Sequence, residues 1–335
     1  MQTAKACLAL FFGGLIILLA PTLSEARVRG VCSNCHTMHN SQNGISVVAA
    51  GAQPALLANS CVGCHSGTNT GGANVTPYVL DTTSEPTTSS LAGGNFYWVR
   101  NGNGTKTADR LGHNVLNMAT AADVAMGVTP PGNGDPASPL PGTRMSCAGT
   151  TGCHGVRATK GSGEGGGNDI LALTGSHHGT AGTAGYRFLQ GVEGLPDDDW
   201  EFETFVDHNW YKGAARPDDN QLNNTTISSL CAQCHGNFHN GSNPVDGGNW
   251  GSPWVRHPTD FDMATLVGTE FAAYTYDAAV PVAYSDPATH NDKIVMCLSC
   301  HRAHGSPNEA ILRWDYRKWP GSGTNGCLVC HTSKN

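Results

Sequence analysis

The sequence predicts a fold of loops and short helices, low in regular secondary structure and organised round something other than a side-chain core. Three observations carry this. Glycine numbers 43 of 335 residues, while aromatic residues make up only 7 % and charged residues 13 %. Such a chain is poor in the apolar side chains and the helix and strand formers of an ordinary domain. No long alternating strand pattern runs through it, and twelve of its 13 cysteines fall in six short cysteine–histidine signatures.

Five of the signatures are C-x-x-C-H: Cys32, Cys35, His36; Cys61, Cys64, His65; Cys231, Cys234, His235; Cys297, Cys300, His301; and Cys327, Cys330, His331. This is the attachment signature of c-type haem. Its two thiols form thioether bonds to the porphyrin's two vinyl groups, and the next residue's imidazole reaches the iron. Disulfides are the usual reading of a cysteine-rich exported chain, but they do not call for a histidine after every second cysteine. Zinc fingers need two half-sites per metal. Five repeats with no stray cysteine between them favour haem.

The remaining signature is stretched, with five residues between Cys147 and Cys153 before His154. The loop must bulge outward for both sulfurs to meet one porphyrin edge. Gly149 and Gly152 make such a loop accessible. Six covalent haem c groups are therefore expected. Each is a rigid apolar plate whose burial replaces side-chain packing. The fold class that follows is a multihaem cytochrome c, mostly loops with short helices wrapped round a chain of six stacked haems.

Residues 1–26 read as a secretory signal peptide. Lys5 forms the basic region, Leu8–Ala20 the apolar stretch, and Ser24-Glu25-Ala26 the cleavage site. The apolar run is short for a membrane span. Cys7 precedes it and leaves with the leader. Residues 27–335 are expected to form a single elongated hexahaem unit, exported and without a membrane span. The formal net charge of −7 disfavours nucleic acid as a partner. It leaves redox proteins and metal oxides open as acceptors.

The signatures start at 32, 61, 147, 231, 297 and 327, too unevenly for a simple repeat. Stretches rich in Gly, Pro, Asn and Ser at 67–76, 128–142, 161–168 and 240–251 read as loops. Helix candidates are Leu116–Met126, Ala184–Gln190, Asp260–Tyr274 and short turns leading into each cysteine pair. Ile45–Ala58 is apolar but carries Gly51 and Pro54, so it is broken helix at most.

Of 15 histidines, six are proximal ligands by their place in the signatures: His36, His65, His154, His235, His301 and His331. Nine remain: His39, His113, His177, His178, His208, His239, His257, His290 and His304. There are enough for every iron to take a second imidazole. A six-coordinate haem has no open face for substrate and carries electrons rather than catalysing a reaction. No catalytic acid, base or nucleophile constellation is evident. His39 and His304 each lie three residues beyond a proximal histidine. The porphyrin plate bars them from the far face of their own haem, but a neighbouring haem is within reach. His239, four residues after His235, is placed to do the same. His39 has no earlier haem within its own subunit. It is left either the second haem in cis or a haem of another molecule, and the latter contact repeated head to tail gives a filament.

The chain resembles the OmcS-like hexahaem c-type cytochromes, surface proteins of metal-reducing bacteria that polymerise into conductive filaments, or nanowires. The resemblance rests on Cys35-His36-Thr37-Met38-His39-Asn40-Ser41, Phe96–Arg100, Gly112-His113-Asn114, Tyr186–Leu189 and the Cys231 signature with His239-Asn240. Arg256-His257-Pro258, Cys297–His304 and the last haem motif near the C-terminus extend it. It implies haems stacked in parallel pairs joined by T-shaped contacts, in a homopolymer joined head to tail. His39 would ligate the haem held by Cys297, Cys300 and His301 of the adjacent subunit. The distal set implied is His39, His113, His178, His239, His257, His290 and His304. The chain departs from the family at its stretched motif, where Gly155-Val156-Arg157 lacks the histidine the family carries there. His178 or His177 is the expected replacement, with His290 competing and His208 a bystander.

The reading is an extracellular electron carrier that reaches the cell surface through the periplasm. The rivals are a discrete periplasmic shuttle and, behind it, a multihaem reductase. Because the plates supply the hydrophobic surface, chain made without haem attachment is expected to be unfolded. Circular dichroism of the unloaded protein checks this.

Overall fold

The computed structural model describes residues 31–42, 44–46, 56–57, 61–70, 76–83, 86, 90–104, 110–115, 118, 145–149, 151–155, 186–189, 191–197, 200, 208–215, 225–235, 257, 259–266, 269–318 and 326–332. The expected leader, the loops at 128–142, 161–168 and 240–251, and His177, His178 and His239 lie outside these residues. So does the helix expected over Leu116–Met126, Met118 apart.

Helices are short and sit on the cysteines themselves. They cover Cys32–Asn34 as a 3-10 turn, Cys61–Cys64, Ile227–Ala232, Cys297–Cys300 and Cys327–Cys330. Ile227–Ala232 is begun by Thr226, whose hydroxyl oxygen accepts from the Ser229 N–H at 3.1 Å, a side-chain N-cap. Tyr97–Asn101 stands apart from the signatures and ends at Gly102, with φ of 68°.

Two helices expected from sequence do not form as single elements. Over Ala184–Gln190 the structure has a 3-10 turn at Tyr186–Phe188. Arg187 and Phe188 sit at φ of 50° and 59°, which a right-handed helix cannot contain. Asp260–Tyr274 divides into Met263–Thr265 and Thr269–Ala272. Asp262 caps the first turn by accepting from the Ala264 N–H, and Leu266 closes it in extended conformation.

Strands are two or three residues long. β1 (Ser41–Gln42) and β2 (Ile45–Ser46) make an antiparallel pair. β3 (Gly194–Leu195) runs antiparallel to β4 (Trp210–Lys212), which lies parallel to β5 (Ala283–Tyr284). Ile45–Ala58 thus opens as strand, and Leu56, at φ 57°, is not helical.

Among the described residues the buried apolar side chains fall into three clusters, each against a haem-signature cysteine. One joins Tyr186, Val192, Tyr211, Ile227 and Ile294, with Cys231 against it. A second joins Val62, Leu80, Phe96, Val99 and Met118, with Cys147 against it. The third joins Met263, Tyr274, Val282, Tyr284 and Val295, with Cys330 against it.

Three glycines let separate strands of chain touch. Gly94 and Gly112 both bridge to Gly305. Asn95 N–H donates to Gly305 O at 3.0 Å, His304 N–H to Gly93 O at 2.7 Å and Ser306 N–H to Leu111 O at 2.9 Å. A Cβ on Gly112 would lie 2.5 Å from the His304 carbonyl oxygen. This close approach brings the segments carrying His113 and His304 together. Among the described residues no helix is long and apolar enough to cross a membrane.

Gly112→Ala overpacks this crossing and is expected to cost about 1–3 kcal/mol, read as a lowered thermal midpoint of the haem-loaded protein.

Candidate haem-binding sites

In every signature the histidine N–H donates to the carbonyl of the first cysteine, closing one turn. The distances are 2.9 Å for His36 to Cys32, 3.0 Å for His65 to Cys61, 3.0 Å for His235 to Cys231, 3.0 Å for His301 to Cys297 and 2.8 Å for His331 to Cys327. The stretched signature makes the same bond, His154 to Cys147 at 3.0 Å. All twelve motif cysteines are unbridged.

The extra residues of the stretched motif fold outward. Gly152 N–H donates to Gly149 O at 3.0 Å and Gly149 N–H to His154 O at 3.0 Å. Ser146 Oγ donates to Ala148 O at 2.7 Å. Gly149 stands at φ 82°, and a Cβ on Gly152 would lie 2.5 Å from Ala148 Cα. Both glycines that the sequence singled out are needed, one for its dihedral and one for its missing side chain.

Backbone carbonyls orient the rings. His65 Nδ1 donates to Pro77 O at 2.8 Å, His154 Nδ1 to Arg187 O at 3.1 Å, His301 Nδ1 to Ala310 O at 2.8 Å and His113 Nδ1 to Ala303 O at 2.5 Å. A carbonyl only accepts, so the proton is on Nδ1 and the Nε2 lone pair is left for a metal. Burial lowers the pKa of all four rings, against the raising effect of the carbonyl. They therefore stay neutral, the form a metal takes.

One device recurs at the first, third and fifth signatures. The residue after the histidine donates its N–H to a left-handed residue's carbonyl: Thr37 to Leu56 and Gly155 to Phe188, both at 2.6 Å, and Arg302 to Ile311 at 2.8 Å. The next leucine then bridges back to the histidine, in the pairs His36–Leu57, His154–Leu189 and His301–Leu312.

Histidines remote in sequence face one another. Ring centroids lie 6.3 Å apart for His154 and His304, 6.2 Å for His113 and His235, and 6.1 Å for His257 and His331. Imidazoles bind metal at about 2 Å, so two rings on opposite sides of one iron are centred about 6 Å apart. Burial, then the facing His154, lowers the His304 pKa to about 3. Thiol pairs without a disulfide, rings that donate through Nδ1 and facing imidazoles together fit haem c.

Successive signatures are neighbours. The Cys35 thiol lies beside Cys64, and burial and that contact push Cys64 up to about 12. His65 lies near His154. Cys231 is hydrogen-bonded to Cys297 and has Cys153 close by. Cys327 and Cys330 lie beside Cys300.

Other histidines take different places. His39 is exposed at φ 51°. His208 is buried, bonds through Nδ1 to Asn209 O at 3.1 Å and stacks on Tyr276 with centroids 3.4 Å apart. His290 stacks on Trp210 at 3.3 Å. Among the described residues no second imidazole faces His301 at the 6 Å spacing. Sequence reasoning missed Pro77, Arg187, Ala303 and Ala310, which act through backbone carbonyls that no side chain signals. It also missed Glu270, whose Oε1 is 3.9 Å from His331 Nδ1.

A family model described as a doubled CXXCH motif matches residues 287–335. The chain is 27 % identical to the C-type cytochrome OmcS of Geobacter sulfurreducens, over 90 % of this chain and 82 % of that protein. Two solved structures are similar, each at 20 % identity and a TM-score of 0.43: the outer membrane cytochrome S filament from Geobacter sulfurreducens (86 % of this chain, 84 % of that one) and the OmcS nanowires of the same organism (91 % of each). The chain is thus similar to OmcS, a c-type cytochrome, and its signatures are those that bind haem c covalently.

Gly152→Ala drives a methyl group into the Ala148 backbone and opens the stretched motif. Intact-mass spectrometry is expected to find most of the product one haem lighter than the parent.

Proposed function

We propose that this protein is an extracellular electron carrier whose copies polymerise head to tail into a conductive filament. Haem c, when bound, supplies iron that gains and loses one electron at a time. The chain holds six such groups by Cys32/Cys35, Cys61/Cys64, Cys147/Cys153, Cys231/Cys234, Cys297/Cys300 and Cys327/Cys330. Their proximal imidazoles are His36, His65, His154, His235, His301 and His331. His304 serves opposite His154, His113 opposite His235 and His257 opposite His331. The facing-ring spacing of 6.1–6.3 Å is the observation that carries this assignment.

His304 follows the fifth signature but faces the third, so a histidine placed just after one motif serves another haem. His39 has the same placement after the first signature. It is exposed on a left-handed turn. The resemblance to OmcS assigns His39 to the haem held by Cys297, Cys300 and His301 of the adjacent copy. The near full-length similarity to OmcS, a protein solved as a filament, points the same way. Contact between consecutive signatures gives electrons a path in sequence order, hopping from haem to haem and across the junction to the next copy. Each iron's potential is set by its imidazoles, its burial and the charge round it.

His39→Ala is expected to retain six haems, shown by mass, and to lose filaments in electron micrographs. About one sixth of the iron is expected to turn high-spin by electron paramagnetic resonance. Filaments that persist unchanged would remove the junction. A parent protein that stays monodisperse when fully loaded would favour a discrete shuttle instead.

A further inference from the structure

The proximal imidazoles do not all have the same partner behind them. Behind His65, His154 and His301 stands a neutral backbone carbonyl. Behind His331 stands a carboxylate: Glu270 Oε1 lies 3.9 Å from Nδ1, with the two side chains only 16 % and 22 % exposed. That distance is beyond a hydrogen bond and within direct charge interaction, which is strong where water is largely excluded. Glu270 sits on the short helix Thr269–Ala272. Its neighbour Phe271 stands edge-on to the His331 ring at 5.5 Å. One helical turn thus sets both the packing and the charge behind this imidazole.

The neighbouring signature has the opposite charge. The guanidinium of Arg313, whose backbone N–H donates to Cys300 O at 2.8 Å, lies against that signature. It is held there by donating to Leu298 O at 2.7 Å, Ala278 O at 3.2 Å and Ala92 O at 3.4 Å. Each of these acceptors is an uncharged carbonyl, so the cation is not neutralised by them.

We propose that Glu270 is a positioning and tuning residue for the haem held by Cys327, Cys330 and His331. It sets that haem's potential below that of the haem held by Cys297, Cys300 and His301. The inference rests on the haem assignment above. A carboxylate this close to an axial imidazole favours the ferric state through its charge, because the ferric haem carries one more positive charge than the ferrous. A guanidinium beside the adjacent haem favours the ferrous state. The last two haems of the subunit therefore form a polarised pair, in which an electron at equilibrium rests on the Cys297–Cys300 haem.

Glu270→Gln in the full-length, haem-loaded protein removes the charge and keeps the shape. Mass spectrometry first counts six haems and peptide mapping confirms the thioethers at Cys327 and Cys330. In a spectroelectrochemical titration, one sixth of the absorbance change is expected to move to higher potential. The expected change is at least tenfold in that haem's ferric-to-ferrous ratio, or about 59 mV. Glu270→Asp, which keeps the charge, is expected to hold most of the parent's low potential. A fully loaded Gln variant that titrates like the parent overturns the tuning role alone. So does an Asp variant that shifts as far as Gln, because packing would then be the cause. Absence of haem at Cys327 and Cys330 in the parent overturns the assignment and the inference together.

Discussion

The fold depends on imidazoles that meet across long stretches of chain. His154 with His304, His113 with His235 and His257 with His331 each join a haem signature to a segment distant in sequence. In an ordinary domain such segments are gathered by one hydrophobic core. Here the apolar side chains make three clusters, and each ends against motif cysteines. A chain with 43 glycines loses much backbone entropy on ordering. With haem bound as proposed, covalent plates and metal-bridged histidines would offset that loss, because metal binding and folding are one equilibrium where no site exists in the unfolded chain.

Much of this was legible in the sequence. The signatures, their order and the loop-rich character follow from cysteine spacing and composition. So did the expectation that His304 reaches past its own haem, since the plate blocks the near path. Which ring it faces, that of His154, was not legible. Facing rings are a long-range property, and the glycine crossing of Gly94, Gly112 and Gly305 that aligns His113 and His304 leaves only scattered glycines among 43 in sequence. The carbonyls behind the rings were hidden for another reason: Arg187 and Ala310 act through backbone atoms that every residue has. Their left-handed dihedrals would have been guessed only at glycine or asparagine. The expected helices at Ala184–Gln190 and Asp260–Tyr274 failed for related causes. The first is unwound to present a carbonyl to His154, and the second is interrupted after a turn that Asp262 starts anew.

The stretched motif shows which feature of a haem signature is mechanical and which is incidental. Its spacing differs from the other five, yet His154 still donates to the carbonyl of its first cysteine at 3.0 Å. That bond fixes the imidazole relative to the first thiol. The residues between the thiols only have to return the chain to the same point. Two glycines and the Ser146 hydroxyl fold the excess outward, so the attachment geometry survives an insertion that a pattern search for C-x-x-C-H would reject.

The scarcity of regular structure follows from where the backbone bonds go. A buried N–H needs an acceptor, and in this chain many acceptors are single carbonyls placed opposite a haem signature rather than members of a ladder. Thr37, Gly155 and Arg302 each find theirs on a left-handed residue, and His154 and His301 take the carbonyl one position earlier. A non-glycine residue held at positive φ costs on the order of 1–3 kcal/mol. Arg187 and Phe188 carry that strain in succession, as do Ala310 and Ile311. A strand or helix would avoid it but could not aim two consecutive carbonyls at an imidazole N–H and the amide just after it. The strain sits where the imidazole is oriented, and the paired carbonyls are seen at the third and fifth signatures, with the amide half of the same geometry at the first.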